Sequence, residues 1–95
     1  MADDLPTDVK IIWDKTARES FEAVLGKVPV FLRDIARRKV SQKAEKIAFD
    51  DNRRSVSLQD VVDAFFKETP FGFHGPMKMD MEVLGIDYQK YGYSK

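Results

Sequence analysis

The sequence contains no cysteine, and this absence removes several kinds of chemistry from the chain itself. Without a thiol it cannot form a disulfide, supply a cysteine nucleophile, or bind zinc or an iron–sulfur cluster through sulfur. His74 is the single histidine, so no His-based metal cluster or Ser-His-Asp arrangement has a familiar spacing. Phosphate-cradling glycine loops, paired catalytic carboxylates and nucleophile elbows are also missing. We therefore expect a non-enzymatic protein without a cofactor.

Long apolar runs are missing as well. No stretch approaches the roughly 18 apolar residues that a membrane span needs, and the first residues, MADDLPTD, are acidic where a secretory signal would be basic and then apolar. We therefore expect a cytoplasmic protein without a membrane segment. The composition, 43% hydrophobic and 34% charged, is typical of a folded globular protein, and 95 residues suffice for one core.

The spacing of apolar residues predicts an all-α fold that begins with two helices. Thr7 or Asp8 can cap the first helix, and Gly26 is expected to end it in a left-handed conformation. The second helix should run from about Pro29 to Asp51. The apolar positions that define the first helix are Val9, Ile12, Trp13, Ala17, Phe21, Val24 and Leu25.

A third helix and an aromatic-rich extension complete the predicted organisation. The run from Ser57 to Asp60 has the spacing of a capping box, so the third helix begins at Leu58 and must end before Pro70. The boundaries are an N-terminal arm at 1–7, a three-helix domain at 8–68 and a C-terminal tail or extension at 69–95. Residues 77–84 fit a short helix or, by their alternation, a strand. The extension's aromatic rings either cover the core or dock on a partner; they belong to Phe71, Phe73, Tyr88, Tyr91 and Tyr93.

Two arginines continue the core stripe of the second helix, where leucine would be expected. At 100° per residue, Arg33 and Arg37 project close to the alanines that follow them on the same face. One interpretation is an anion or carboxylate site, because guanidinium holds such groups by two parallel hydrogen bonds. The alternative is an internal ion pair with Asp14, Glu19 or Glu22, or a side chain that reaches out from the edge of the core.

The middle of the chain is basic although the net charge is zero. Between residues 27 and 54, nine Lys and Arg residues stand against four Asp and Glu residues. This excess hints at an anionic partner, although a charged helix surface is more often simply solvated. Arg53 lies seven residues before Asp60 across a loop, a spacing at which the arginine can fold back and form a structural ion pair.

The run VPVFLR, from Val28 to Arg33, resembles part of a known family. Together with Trp13 and the segment from Val56 to Ala64, it is similar to the small C-terminal domain of the B subunit of light-independent protochlorophyllide reductase, over roughly residues 12–66. The resemblance implies a helical accessory module that binds a protein partner or an anionic, tetrapyrrole-type ligand. The family's role would fall on Pro29, Phe31, Arg33 and Arg37.

A second resemblance concerns the segment from Arg53 to Val61, which is similar to the end of an archaeal histone. It implies short, long and short helices, a homodimer, and DNA binding in which Lys46, Arg53 and Arg54 contact phosphates. The zero net charge argues against DNA binding. We therefore place the accessory module first and the histone-like dimer second.

Overall fold

Helices account for most of the chain in the computed structural model, which describes Leu5 and residues 8–95. The predicted all-α class is confirmed. Of the helices in this described part, none has the length and apolar character required to cross a membrane. The elements, in chain order, are β1 (Ile12–Trp13), α1 (Lys15–Leu25), α2 (Val30–Asp50), β2 (Ser55–Val56), α3 (Leu58–Glu68), a 3₁₀ turn (Phe71–Phe73), α4 (His74–Val83) and a second 3₁₀ turn (Tyr88–Tyr91).

The first helix begins later than the apolar spacing predicts. α1 starts at Lys15, after Asp14 in an extended conformation, so the predicted start near Asp8 is wrong. The other predicted cap, Thr7, lies outside the described residues, as does most of the predicted arm at 1–7. The second and third helices lie where the sequence places them, within a residue or two at their ends.

A short parallel strand pair takes the place of the first predicted turns of helix. Ile12 lies beside Ser55 and Trp13 beside Val56. The Ile12 amide donates to the Arg54 carbonyl oxygen at 3.0 Å, which fixes the register. The Trp13 indole N–H also donates to a carboxylate on α2, at 2.8 Å. β-branched and aromatic residues suit such a pleated, half-buried position, so tertiary pairing overrides the helical spacing.

α3 lies in the middle of the core and packs against both α1 and α2. Its apolar stripe is buried almost completely, as its broad hydrophobic pattern predicts. On α2 only the second half contributes buried side chains, and two of these are alanines that let another helix approach closely. The buried residues of α1 and α2 are Ala17, Phe21, Val24, Leu25, Val40, Ala44 and Ala48.

Residues 69–95 form part of this core and not a separate tail. Met77 and Met81, one helical turn apart on α4, are buried, as are Ile86 and Tyr88 after it. The helical alternative for residues 77–84 is therefore the one that the chain adopts. Gly85 ends α4 with a positive φ of 76°, a conformation that glycine adopts without strain.

The loop between α2 and α3 is held by a carboxylate that is only 2% exposed, that of Asp60. The two terminal guanidinium nitrogens of Arg53 donate to it at 2.8 Å, which is the pair expected from the sequence spacing. The Ser57 backbone amide donates to the same carboxylate at 2.9 Å, and the Ser57 hydroxyl accepts from the Asp60 amide, completing the capping box. Burial raises the pKa of Asp60, but Arg53 and the Ser57 hydrogen bonds outweigh it and hold the pKa below its usual value.

Replacing Asp60 by alanine should lower the free energy of unfolding by about 3 kcal/mol, because it removes the buried carboxylate that accepts two hydrogen bonds from Arg53 and also removes a helix cap. Urea denaturation measures the change. The matched control is Asp51→Ala, which removes an exposed carboxylate 2.7 Å from the same arginine. This control should cost less than about 1 kcal/mol. Equal losses in the two variants would contradict a dominant role for Asp60.

The same pair predicts how stability depends on pH. Because the folded-state pKa of Asp60 lies below its unfolded value, the pair stabilises the protein above pH ~4, and this contribution is lost as the pH falls through the folded pKa. The difference in unfolding free energy between the wild type and Asp60→Ala should therefore shrink when urea titrations are repeated from pH ~6 to pH ~3. A difference that stays constant over this range would contradict the assignment.

Candidate partner-binding surface

The Arg33 side chain caps the C-terminus of α1. Its guanidinium donates to the carbonyl oxygens of Leu25 at 3.0 Å, Gly26 at 3.2 Å and Val28 at 2.9 Å. The last carbonyls of a helix lack intrahelical partners and carry partial negative charge, so a cation is favourable here. Gly26 itself has a right-handed φ of −62°, and the predicted left-handed cap is wrong. The arginine performs the capping that the glycine was expected to provide.

Arg37 is held by a neighbouring helix in a similar way. Its guanidinium lies 2.5 Å from the Glu22 carboxylate of α1, and both side chains are 44% exposed. The hydrogen bond to Glu22 raises the pKa of Arg37. Of the two interpretations of these arginines, the structure therefore contains the internal one: an ion pair with Glu22, and Arg33 bonded to main-chain oxygens. Both groups meet acceptors within the chain.

The other two residues singled out by the reductase resemblance lie at the start of α2. Pro29 is exposed and precedes the helix, and Phe31 is among the most exposed large apolar residues of the described chain. Their neighbours form what we call the α2 apolar patch. Its members are Val30, 76% exposed; Phe31, 85%; Leu32, 44%; and Ile35, 44%.

Two members of the patch, Phe31 and Ile35, face away from the core. Phe31 lies nine residues before Val40, and Ile35 nine before Ala44, which places each pair on opposite sides of the helix. Residues that face away from the core of a helix are normally polar. Large apolar side chains at these two positions are therefore an exception to the usual pattern.

Basic side chains flank the patch at both ends. Lys27 is exposed in the turn before α2, and Arg38 and Lys39 are exposed in the turn after Ile35. Among the described residues, no carboxylate forms an ion pair with Arg38 or Lys39. Asp34 is the single acidic residue between positions 27 and 39. The surface is therefore apolar in the middle and positively charged at its edges.

The residues proposed for DNA contacts have partners of their own. The Lys46 ammonium lies 2.8 Å from the Asp50 carboxylate, and Arg53 is held by the carboxylates that fix the loop. Arg54 is exposed, with its guanidinium 4.8 Å from the centre of the Phe49 ring. Of the three, Arg54 remains the most accessible to a phosphate. DNA binding stays a prediction.

Some aromatic residues of the extension cover the core, as one of the two expectations has it, and others are exposed. Tyr88 is buried, and Tyr93 stacks on the Phe66 ring at 3.9 Å while its hydroxyl donates to Asp63. Burial, followed by this hydrogen bond, raises the pKa of Tyr93 above its usual value. Phe71 and Phe73 are instead exposed. The sequence analysis missed three further exposed apolar residues, because a search for a buried helical stripe does not identify apolar residues on the exposed side. These are Ile35, Met79 and Val83.

Comparison with known proteins shows a family and no function. The chain belongs to the family described as a protein of unknown function, DUF2621, whose model matches residues 5–94. The match spans the core, the α2 apolar patch and the extension. No curated protein and no solved structure matches the chain. In the part of the chain that the structure describes, no three His, Cys, Asp or Glu residues are grouped to hold a metal ion.

Replacing Arg33 by methionine, which keeps an unbranched apolar stem but removes the donors, should lower the free energy of unfolding by about 2 kcal/mol, because three carbonyl oxygens lose a charged partner. The control is Arg37→Met, which breaks an exposed ion pair and should cost clearly less than Arg33→Met. Thermal or urea denaturation measures both. If the two variants were equally stable, Arg33 would not be the cap of α1.

Proposed function

We propose that this DUF2621 chain is a non-catalytic binding module that uses the α2 apolar patch to dock on an amphipathic, acidic helix of a protein partner. The exposure of four large apolar side chains within six residues of α2 carries the proposal, and two of them, Phe31 and Ile35, lie on the helix face opposite the core. Exposed apolar residues scattered singly are normal on a monomer, whereas a contiguous group marks an interaction surface. An amphipathic helix laid in register along such a face is a common form of recognition.

Arg33 and Arg37 already have acceptors within the chain, which favours a protein partner over a small anionic ligand at this end of α2. A carboxylate ligand would have to displace Arg33 from three carbonyl oxygens, or Arg37 from Glu22. An apolar contact with Phe31 and Ile35 requires no such exchange, and burial of each such side chain stabilises a complex by roughly 1.5–3 kcal/mol before the costs of association.

The charge around the patch indicates what the partner carries. Two copies of this chain joined through their patches would bring Lys27, Arg38 and Lys39 close to the same basic residues, in either a parallel or an antiparallel arrangement. Like charges that face each other across an interface are unfavourable. A partner helix with Asp or Glu on both sides of its apolar stripe is complementary, so the proposed partner is a different protein.

An accessory role in the cytoplasm agrees with this surface. The resemblance to the reductase B-subunit domain implies a module that acts beside a larger enzyme, with its role at Pro29, Phe31, Arg33 and Arg37. Of these, Phe31 belongs to the patch and Pro29 directly precedes it. On this proposal the chain contributes docking and not chemistry.

Photo-crosslinking in the native cell tests the proposal directly. A photoreactive phenylalanine analogue is placed at position 31, and a matched chain carries it at position 73, which is also an exposed phenylalanine. We expect one discrete adduct with another protein from position 31 and none of the same mass from position 73. An adduct of twice the chain's mass would show a homodimer instead, and no protein adduct at all would contradict the proposal.

The crosslinked protein, once purified, allows a quantitative test. Phe31→Ser should weaken its affinity about 30-fold, the size expected for a central aromatic contact. Arg38→Glu should weaken it by a smaller factor that depends on salt. Val83→Ser, an exposed apolar change on α4, is the control and should leave the affinity unchanged. An affinity insensitive to Phe31→Ser would contradict docking through the patch.

A further inference from the structure

A groove lies on another side of the molecule, where the end of α3, the first 3₁₀ turn, α4 and the last residues of the chain meet. Its volume is about 450 Å³, within the range of about 300–1,000 Å³ typical of small-molecule sites. The lining includes three aromatic rings and three basic side chains: Phe66, Phe71, Tyr93, Lys67, His74 and Lys78. None of these belongs to the α2 apolar patch.

Ring stacking and hydrogen bonds hold one wall of the groove in place. The Phe66 ring stacks on Tyr93 at 3.9 Å with an angle of 5° between the planes, and it meets the edge of His74 at 5.1 Å. The Nε2 atom of His74 lies 3.1 Å from the Phe66 carbonyl oxygen and 2.9 Å from that of Thr69. Since carbonyl oxygens can only accept, Nε2 carries the proton and both bonds fix the ring.

Phe71 differs from these rings because nothing in the described chain covers it. Its side chain is 86% exposed at the rim, with its centre 5.5 Å from that of His74. A planar ring bound in the groove would contact the solvent-exposed face of Phe71. Such a pair of aromatic rings stabilises a complex by about 0.5–1.5 kcal/mol more than the buried apolar area alone. The groove therefore favours an aromatic ligand.

The charge of the lining favours an anion. Lys67 and Lys78 contribute positive charge, and the lining contains no Asp or Glu. Asp63, which contacts the lining residue Tyr93, already accepts a hydrogen bond from the Tyr93 hydroxyl. The Lys78 ammonium lies 6.0 Å from the centre of the Phe66 ring, which places a cation beside the aromatic wall. A carboxylate on an aromatic ring would meet both features at once.

From these features we propose that the groove binds a small planar aromatic carboxylate, with its ring against Phe71 and Tyr93 and its carboxylate bonded to Lys67 and Lys78. The site is independent of the α2 apolar patch, so either proposal can fail without the other.

Amide chemical shifts of the ¹⁵N-labelled protein, titrated with 2-naphthoate, test this site. The neutral control ligand is 2-naphthalenemethanol. We expect saturable shifts confined to residues 66–78 and 92–94, and an affinity for the carboxylate about tenfold higher than for the alcohol. The Lys67→Gln/Lys78→Gln double variant should remove that preference, whereas Lys39→Gln, on α2, should preserve it. Phe71→Ala should weaken both ligands about fivefold or more.

Three results of the titrations with the wild-type protein would overturn the proposal. These are no saturation up to about 10 mM naphthoate, equal affinities for the carboxylate and the alcohol, and shifts centred on the α2 apolar patch. The spectrum of each free variant checks that its fold is intact, and the lysine variants remove solvent-accessible charges, so loss of preference reports on the site. Retained preference in the lysine double variant would likewise show that the groove does not select the anion.

Discussion

The arrangement of the helices depends on the hydrogen bonds that the Asp60 carboxylate accepts. It caps α3, accepts two charged hydrogen bonds from Arg53, and so fixes the loop that follows α2. That loop contains β2, and β2 is the edge on which β1 pairs. The direction of the chain into α1 is therefore set, through the strand pair, by the same carboxylate. Buried charges are tolerated when they are paired and hydrogen-bonded in this way.

The part of the chain that the structure describes leaves the first half of α2 largely uncovered. The helix has 21 residues and is about 31 Å long at 1.5 Å per residue, but its buried positions all lie in the second half. In the first half, Arg33 and Arg37 bond to α1 and hold the helix against it. The arginines therefore keep the helix in position and leave its outer face open, which is how an exposed apolar patch can coexist with an ordered fold.

The features that the sequence predicted well are local. The capping box, the start of α3 at Leu58 and the Arg53–Asp60 pair depend on residues within eight positions of one another. The strand β1 was missed because Ile12 pairs with Ser55, 43 positions away, and no residue near Ile12 in the sequence indicates that pairing. The role of Gly26 was misjudged for a related reason, since the carbonyls it was expected to cap are satisfied by a side chain from the next helix.

The candidate surface was predicted only in part. Pro29 and Phe31 were named through the reductase resemblance, and the structure shows that they begin an exposed apolar face. Ile35 was missed because a search for helical periodicity looks for residues that point inward, and a patch on the opposite face breaks that rule. Arg33 and Arg37 were placed on the correct side of α2, but the choice between acceptors within the chain and an external anion depends on the folded structure.

On the proposed function, a partner covers the outer face of α2 when the protein works in its cell. The chain has no cysteine, so a single introduced thiol reports on one position without background from the protein. Maleimide labelling rates of Ile35→Cys and Val83→Cys would be compared in the native cell and in purified protein. We predict that labelling at position 35 is about tenfold slower, relative to position 83, in the cell than in the purified protein. An equal ratio in both settings would contradict the claim.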